Sequence, residues 1–98
     1  MPLAAATRDR IDQLLAANRV VLFMKGTRRG PQCGFSAATV DRLDALLDDY
    51  ATVDVLADDE IRQGIKDYGN WPTIPQLYVD RELVGGADIV QSMFDSGE

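Results

Sequence analysis

The chain of 98 residues has no histidine and a single cysteine, Cys33. Those two absences exclude more chemistry than anything else in the composition. Ser-His-Asp and Cys-His catalysis need an imidazole that the chain does not possess. Zinc sites built from Cys and His need about four such ligands, so zinc fingers, HExxH hydrolases and dithiol chemistry are excluded within one chain. An internal disulfide is excluded as well. Basic residues are scarce: 10 Lys plus Arg stand against 16 Asp plus Glu, a net charge of −6. Phosphate neutralisation takes a surplus of cations, so this surface does not hold nucleic acid or an anionic membrane by bulk charge. Any basic site must be local. The longest strongly apolar run, Val20 to Met24, is far below the ~18 residues of a membrane span. The start, Met1 to Asp12, carries Arg8, Asp9 and Arg10 where a secretory leader has its apolar middle. The expected setting is a reducing cytoplasm, with neither nucleic acid nor membrane as partner.

What remains is ordinary globular composition, 46% hydrophobic and 27% charged, which suffices for one modest core without staples. Residues 1–98 are expected to form a single domain. Thr7 is placed to cap a helix over about 8–17 with Ile11, Leu14 and Leu15 at helical spacing, ending near Asn18. Val20 to Met24 reads as a strand buried on both faces, hence central in a sheet. After the polar loop Arg28 to Gln32, the residues Phe35, Val40, Leu43, Leu46 and Leu47 form a helical stripe to about Asp48. Cys33 sits where loop becomes helix. Thr52 to Leu56 predicts a second strand. A third helix starts at Asp58 or Asp59, carries Ile61, Ile65 and Tyr68, and closes at Gly69. Pro72 and Pro75 interrupt the chain. Gln76 to Val79 and Glu82 to Val84 then pair across a two-residue turn, Asp80-Arg81, without the usual Asn-Gly chemistry. Gly85-Gly86 leads into a last helix with Ile89, Val90, Met93 and Phe94. The order αβαβαββα implies an α/β fold, a mixed sheet with helices on both faces.

A lone cysteine is most simply a small buried hydrophobe. The position of Cys33 argues otherwise. Free N–H groups and the macrodipole at a helix start favour a thiolate, Lys25 at the end of the first strand returns to the same rim, and Gly34 leaves room for another molecule's sulfur. Arg62 and Lys66, four apart on the third helix, read most simply as a solvated face paired with Asp59 and Asp67; only a nearby anion promotes them. Gly85-Gly86 before Asp88 offers bare N–H groups to a carboxylate or is merely a tight turn. Thr73-Ile74-Pro75 is an ordinary loop unless its X-Pro bond is cis.

Taken in order, Lys25-Gly26-Thr27, Pro31-x-Cys33-Gly34-Phe35-Ser36, Ile61-Arg62-x-x-x-Lys66, Trp71-Pro72-Thr73-Ile74-Pro75 and Gly85-Gly86-x-Asp88-Ile89 resemble the monothiol glutaredoxins of the CGFS type, from about Thr7 onward. The resemblance implies a thioredoxin-like glutaredoxin fold with a four-stranded mixed sheet, a cis Pro75 facing Cys33, and a groove for glutathione. Carried over by position, Lys25, Arg62 and Lys66 would meet the glycine carboxylate of glutathione. Thr73 and Ile74 would pair their backbone with its cysteine, and Gly86, Ala87 and Asp88 would hold the γ-glutamyl end. Three positions depart from the family. Arg28 replaces a frequent proline, which predicts a more mobile and more basic loop. Ala87 stands where many members have a second cysteine. Arg81 replaces a common turn glycine.

Two activities follow from the resemblance. In the first, Cys33 ligates a [2Fe–2S] cluster that needs four ligands, two from the Cys33 thiolates of a homodimer and two from bound glutathiones. Such a carrier would pass its cluster to iron–sulfur client proteins and could pair with a BolA-type protein. In the second, Cys33 is the nucleophile of a glutathione-dependent thiol–disulfide oxidoreductase that removes glutathione from substrates. The expectation favours the carrier. An inert thioredoxin-like interaction module is the third alternative.

Overall fold

The computed structural model describes residues 4–96. The ends of the expected 1–98 domain, and the first residues of the stretch weighed as a leader, lie outside them. The elements are α1 (Ala5–Ala17), β1 (Val20–Met24), α2 (Gly34–Leu46), β2 (Ala51–Asp54), α3 (Asp59–Tyr68), β3 (Gln76–Val79), β4 (Glu82–Gly85) and α4 (Ala87–Ser96). This is the expected order. The sheet runs β2-β1-β3-β4, with β1 parallel to β2 and antiparallel to β3, and β3 antiparallel to β4.

β1 is central because both of its faces are apolar. Val21 and Phe23 enter one core with Ile11, Leu15, Ile61, Ile65 and Tyr78, under α1 and α3. Leu22 and Met24 enter the other with Val40, Leu43, Leu77 and Val90, under α2 and α4. A strand alternates its side chains between faces, so a run without polar residues can only sit between two helical layers.

Several boundaries differ from the sequence reading. α1 begins at Ala5, and Thr7 does not cap it: Ala4 holds the cap position without a side-chain bond, and Thr7 lies buried inside the helix. The alanines of 4–6 extend the helix upstream at no propensity cost, and Thr7 falls on the Ile11, Leu15 stripe at four-residue spacing. α2 stops at Leu46 instead of Asp48, where Leu47 turns extended. β2 is Ala51–Asp54 instead of 52–56; beyond it Val55 still donates its N–H to Met24 O at 2.9 Å, and Leu56 faces solvent. Asp58 is the true cap of α3, accepting the Ile61 N–H at 3.2 Å. An ion pair with Arg10, whose hydrogen bond is the main cause, and the Ile61 N–H hold its carboxyl below the ordinary range.

Gly69 closes α3 as expected, but not through a left-handed conformation: its φ is −90°. Glycine is required there for space, since a Cβ would come within 2.3 Å of the Tyr78 hydroxyl. Asn70 takes the positive φ instead, at 50°. The two-residue turn is confirmed: Val79 pairs with Glu82, and Asp80 and Arg81 adopt φ of 50° and 71°. Those values are the primed-turn geometry that a right-twisted hairpin needs, reached without glycine. β4 runs one residue past the expected Val84, to Gly85.

Candidate functional site

The site forms at the end of the sheet where β1 stops and α2, α3 and α4 approach. After Met24 the chain must reverse to start α2, and Gly26, at φ 91°, makes the reversal. A Cβ on Gly26 would lie 2.5 Å from Gly30 O and 2.7 Å from Gln32 N, so only glycine fits. The reversal is clipped on three sides. Gln32 N–H donates to Lys25 O at 2.9 Å, Gly26 N–H donates to Asp54 Oδ1 at 2.9 Å, and Lys25 N–H donates to Ser36 Oγ at 3.1 Å. Cys33 is thereby delivered at the N-cap of α2, where the sequence placed it.

At that position the thiol meets free backbone donors. The Ser36 N–H is the largest influence holding Cys33 below its ordinary pKa; the Phe35 N–H, the charge of Lys25 and the Ser36 hydroxyl add to it, and partial burial opposes it. A helix start that can hydrogen-bond an anion stabilises thiolate over thiol.

Arg28 behaves otherwise than expected. Its guanidinium binds Asp44 at 2.8 Å and Asp49 at 3.4 Å and lies 4.2 Å over the Tyr50 ring. Those contacts tie the loop to the far end of α2 and spend the cation on carboxylates. The expected mobile, basic loop is not what the structure shows at this residue.

The opposite wall is Trp71 to Pro75, with a cis Ile74–Pro75 bond, and the start of α4 closes the third side. A Cβ on Gly86 would stand 3.3 Å from both Pro75 O and Trp71 Nε1, so this glycine lets α4 press onto the wall. Between the walls lies a groove of about 570 Å³. Nine of the ten residues expected at the site line it: Cys33, Lys25, Lys66, Thr73, Ile74, Pro75, Gly86, Ala87 and Asp88. The tenth, Arg62, is not among the lining residues. It sits one turn before Lys66 with its Nε buried and unpartnered. Neither Arg62 nor Lys66 makes an ion pair among the described residues, so the pairing with Asp59 and Asp67 is not found.

Phe35, Trp71, Pro72 and Ile89, which belong to the quoted motif blocks without being expected at the site, line the groove too. The helical stripe of α2 predicts Phe35 on the same face as Val40 and Leu43; at 67% exposure it is the most open large apolar side chain described. Its place in the first turn, beside Cys33, puts it ahead of the surface that packs on the sheet. That offset was the available signal. The site therefore joins a thiol shifted toward its thiolate form, two lysines and α4 N–H donors to an apolar rim. It suits a small, flexible anion that carries sulfur.

Comparison with known proteins agrees with this arrangement. The Glutaredoxin family model matches residues 20–84. A Synechocystis protein described as an uncharacterized monothiol glutaredoxin, ycf64-like, is 59% identical over 92 residues, covering 94% of this chain and 86% of its own. Mitochondrial monothiol glutaredoxin-5 of Schizosaccharomyces pombe is 46% identical over 99 residues, covering 98% of this chain and 68% of its own. The solution structure of reduced poplar apo GrxS14 superposes with a TM-score of 0.83 at 45% identity, covering 100% of this chain and 90% of that one.

Proposed function

The chain belongs to the glutaredoxin family, with monothiol glutaredoxins as its relatives, and from that premise we propose that it is a CGFS-type, glutathione-dependent carrier of [2Fe–2S] clusters. The cluster is cargo in this reading, and the donor set of the chain is compatible with it. One chain supplies one thiolate, and among the described residues no group of three or more His, Cys, Asp or Glu converges to hold a metal. Four-fold ligation then calls for two protomers and two glutathiones, which the groove beside each Cys33 is large enough to seat. Two ferric ions, two sulfides and four thiolates sum to a net −2, which the Lys25 ammonium and the α2 N-terminus complement.

The observation that carries this reading is a lowered-pKa thiol facing a groove with no second thiol in it. Lys25 and Lys66 bind carboxylate, the Thr73-Ile74 backbone orients the glutathione cysteine, and the α4 N–H groups at Gly86 to Asp88 receive the γ-glutamyl end. A homodimer is the proposed loaded state, with a BolA-type protein and iron–sulfur clients as further partners and the cytoplasm as the setting. The test is anaerobic reconstitution with iron, sulfide and glutathione, read by visible absorption and gel filtration. One cluster and two glutathiones per dimer are expected, and none with Cys33→Ser. A stable cluster on a monomer, or one formed without any small thiol, would overturn the ligand count.

The same thiol favours a second reading, deglutathionylation. The Cys33 thiolate attacks the glutathione sulfur of a mixed disulfide and the substrate leaves as thiolate. A second glutathione thiolate then attacks the Cys33–glutathione bond, releasing oxidised glutathione and regenerating Cys33. Ser36, fully buried with its Oγ on Lys25 N–H, takes no part as a resolving group.

A further inference from the structure

The wall that faces Cys33 hangs on one buried side chain that the site above does not use. Gln76, the first residue of β3, is fully buried. Its Nε2 donates to Trp71 O at 3.0 Å and to Thr73 O at 3.2 Å, and its Oε1 accepts the Tyr78 hydroxyl at 3.0 Å. Only this orientation of the amide satisfies all three, because two carbonyls demand donors and the phenol has a proton to give. An amide buried beneath an apolar sheet costs free energy unless every group is paired, so the arrangement is demanding. Leucine would fill the same volume without that demand.

The bonds fix more than two oxygens. The bond between Thr73 and Ile74 is trans, and in a trans peptide the carbonyl and the following N–H point opposite ways. Drawing Thr73 O inward to Gln76 turns the Ile74 N–H outward, on the side where Thr73 and Ile74 line the groove. Trp71 is held from both directions, by its carbonyl on Gln76 and by its N–H on Lys66 O at 3.0 Å. We propose that Gln76 is a positioning residue: its amide pins the Trp71 and Thr73 carbonyls and so presents the Ile74 N–H, already aligned, to an extended thiol peptide in the groove. The inference rests on the reading that glutathione is that peptide.

The test separates binding from folding. Gln76→Met keeps the volume and removes both donors; Gln76→Glu keeps the shape and replaces the donors with acceptors. Ile11→Ala, fully buried under α1 and away from the groove, is the control for lost stability alone. Glutathione affinity by calorimetry and thermal unfolding are measured for each. The Gln76 variants should lose about tenfold in affinity, the worth of one aligned hydrogen bond, whereas the control, at comparable or greater loss of stability, should bind as the native chain does. Equal affinity in the native and Gln76→Met proteins overturns the inference and leaves glutathione binding standing. Absence of binding in the native chain overturns both. If neither variant folds, the native protein still decides by nuclear magnetic resonance. Gln76 side-chain amide protons that exchange slowly, with an Ile74 amide that shifts on glutathione titration, support the assignment, and an Ile74 amide indifferent to glutathione refutes it.

Discussion

At the first turn of α2 the thiol of Cys33 is surrounded by the Ser36 and Phe35 N–H groups and by the charge of Lys25, each of which favours the thiolate. Lys25 acts on the thiol and, in the proposed function, on the glutathione carboxylate as well. Lys25→Ala should therefore move the Cys33 pKa upward toward its ordinary value and weaken glutathione binding by on the order of 1 to 3 kcal/mol. Alkylation rate against pH reads the first effect and calorimetry the second. The sign for reactivity is fixed: a depressed pKa means more thiolate near neutrality, so the native thiol should alkylate faster there than the variant. Arg62 and Lys66, read together from the sequence, part in the structure. Both belong to one helical face, yet one turn of α3 separates a side chain in the groove from one with a buried, unpaired Nε outside its lining.

Elements were legible where hydrophobic periodicity was strong and blurred where chain ends were set by contacts. β1 matched residue for residue because an apolar run between a helix and a glycine has one place to go. Thr7 was misread because an N-cap signal and a buried helical threonine look alike until Ile11 and Leu15 are seen on the same stripe. The hairpin was placed correctly despite its turn residues. Its geometry leaves a residue-level cost, since Arg81 holds φ 71° with a Cβ present. Left-handed backbone costs a non-glycine residue about 1–2 kcal/mol, and glycine gives back part of that in chain entropy. Arg81→Gly should thus raise stability by about 0.5 to 1 kcal/mol, read as a higher urea midpoint at unchanged slope. A lower midpoint would mean that Arg81 makes a contact worth more than the strain.

For the whole molecule, the −6 charge and the groove have opposite sense, since Lys25 and Lys66 line the groove and enter no ion pair among the described residues. An acidic protein can thus gather a small anion at one point of its surface. With one thiol per chain, disulfide formation has only intermolecular outlets. Treatment with oxidised glutathione should exchange one disulfide: Cys33 thiolate bonds to one half, and the other half leaves as glutathione thiolate. Intact mass should show one added glutathione per chain, with a minor covalent dimer where two Cys33 sulfurs meet. A folded chain that stays unmodified would show that Cys33 is neither open nor activated, and the proposed function would lose its central residue.

The sequence by itself determined which thiol and imidazole reactions are out of reach, since residue counts do not depend on geometry: without histidine and with one cysteine, any disulfide the chain forms is shared with another molecule. It also determined the element order, because periodicity and chain breakers act locally. Tertiary structure alone decided where cations and apolar groups point. Arg28 was drawn to Asp44, Asp49 and Tyr50, partners 16 to 22 residues away. Phe35 was left on the groove rim. Gln76, unremarkable as the first residue of a strand, became the pin of the facing wall because the fold buried it with its amide on the Trp71 and Thr73 carbonyls. Such roles depend on distances between residues far apart in the chain, and those exist only once the sheet has closed between its two layers of helices.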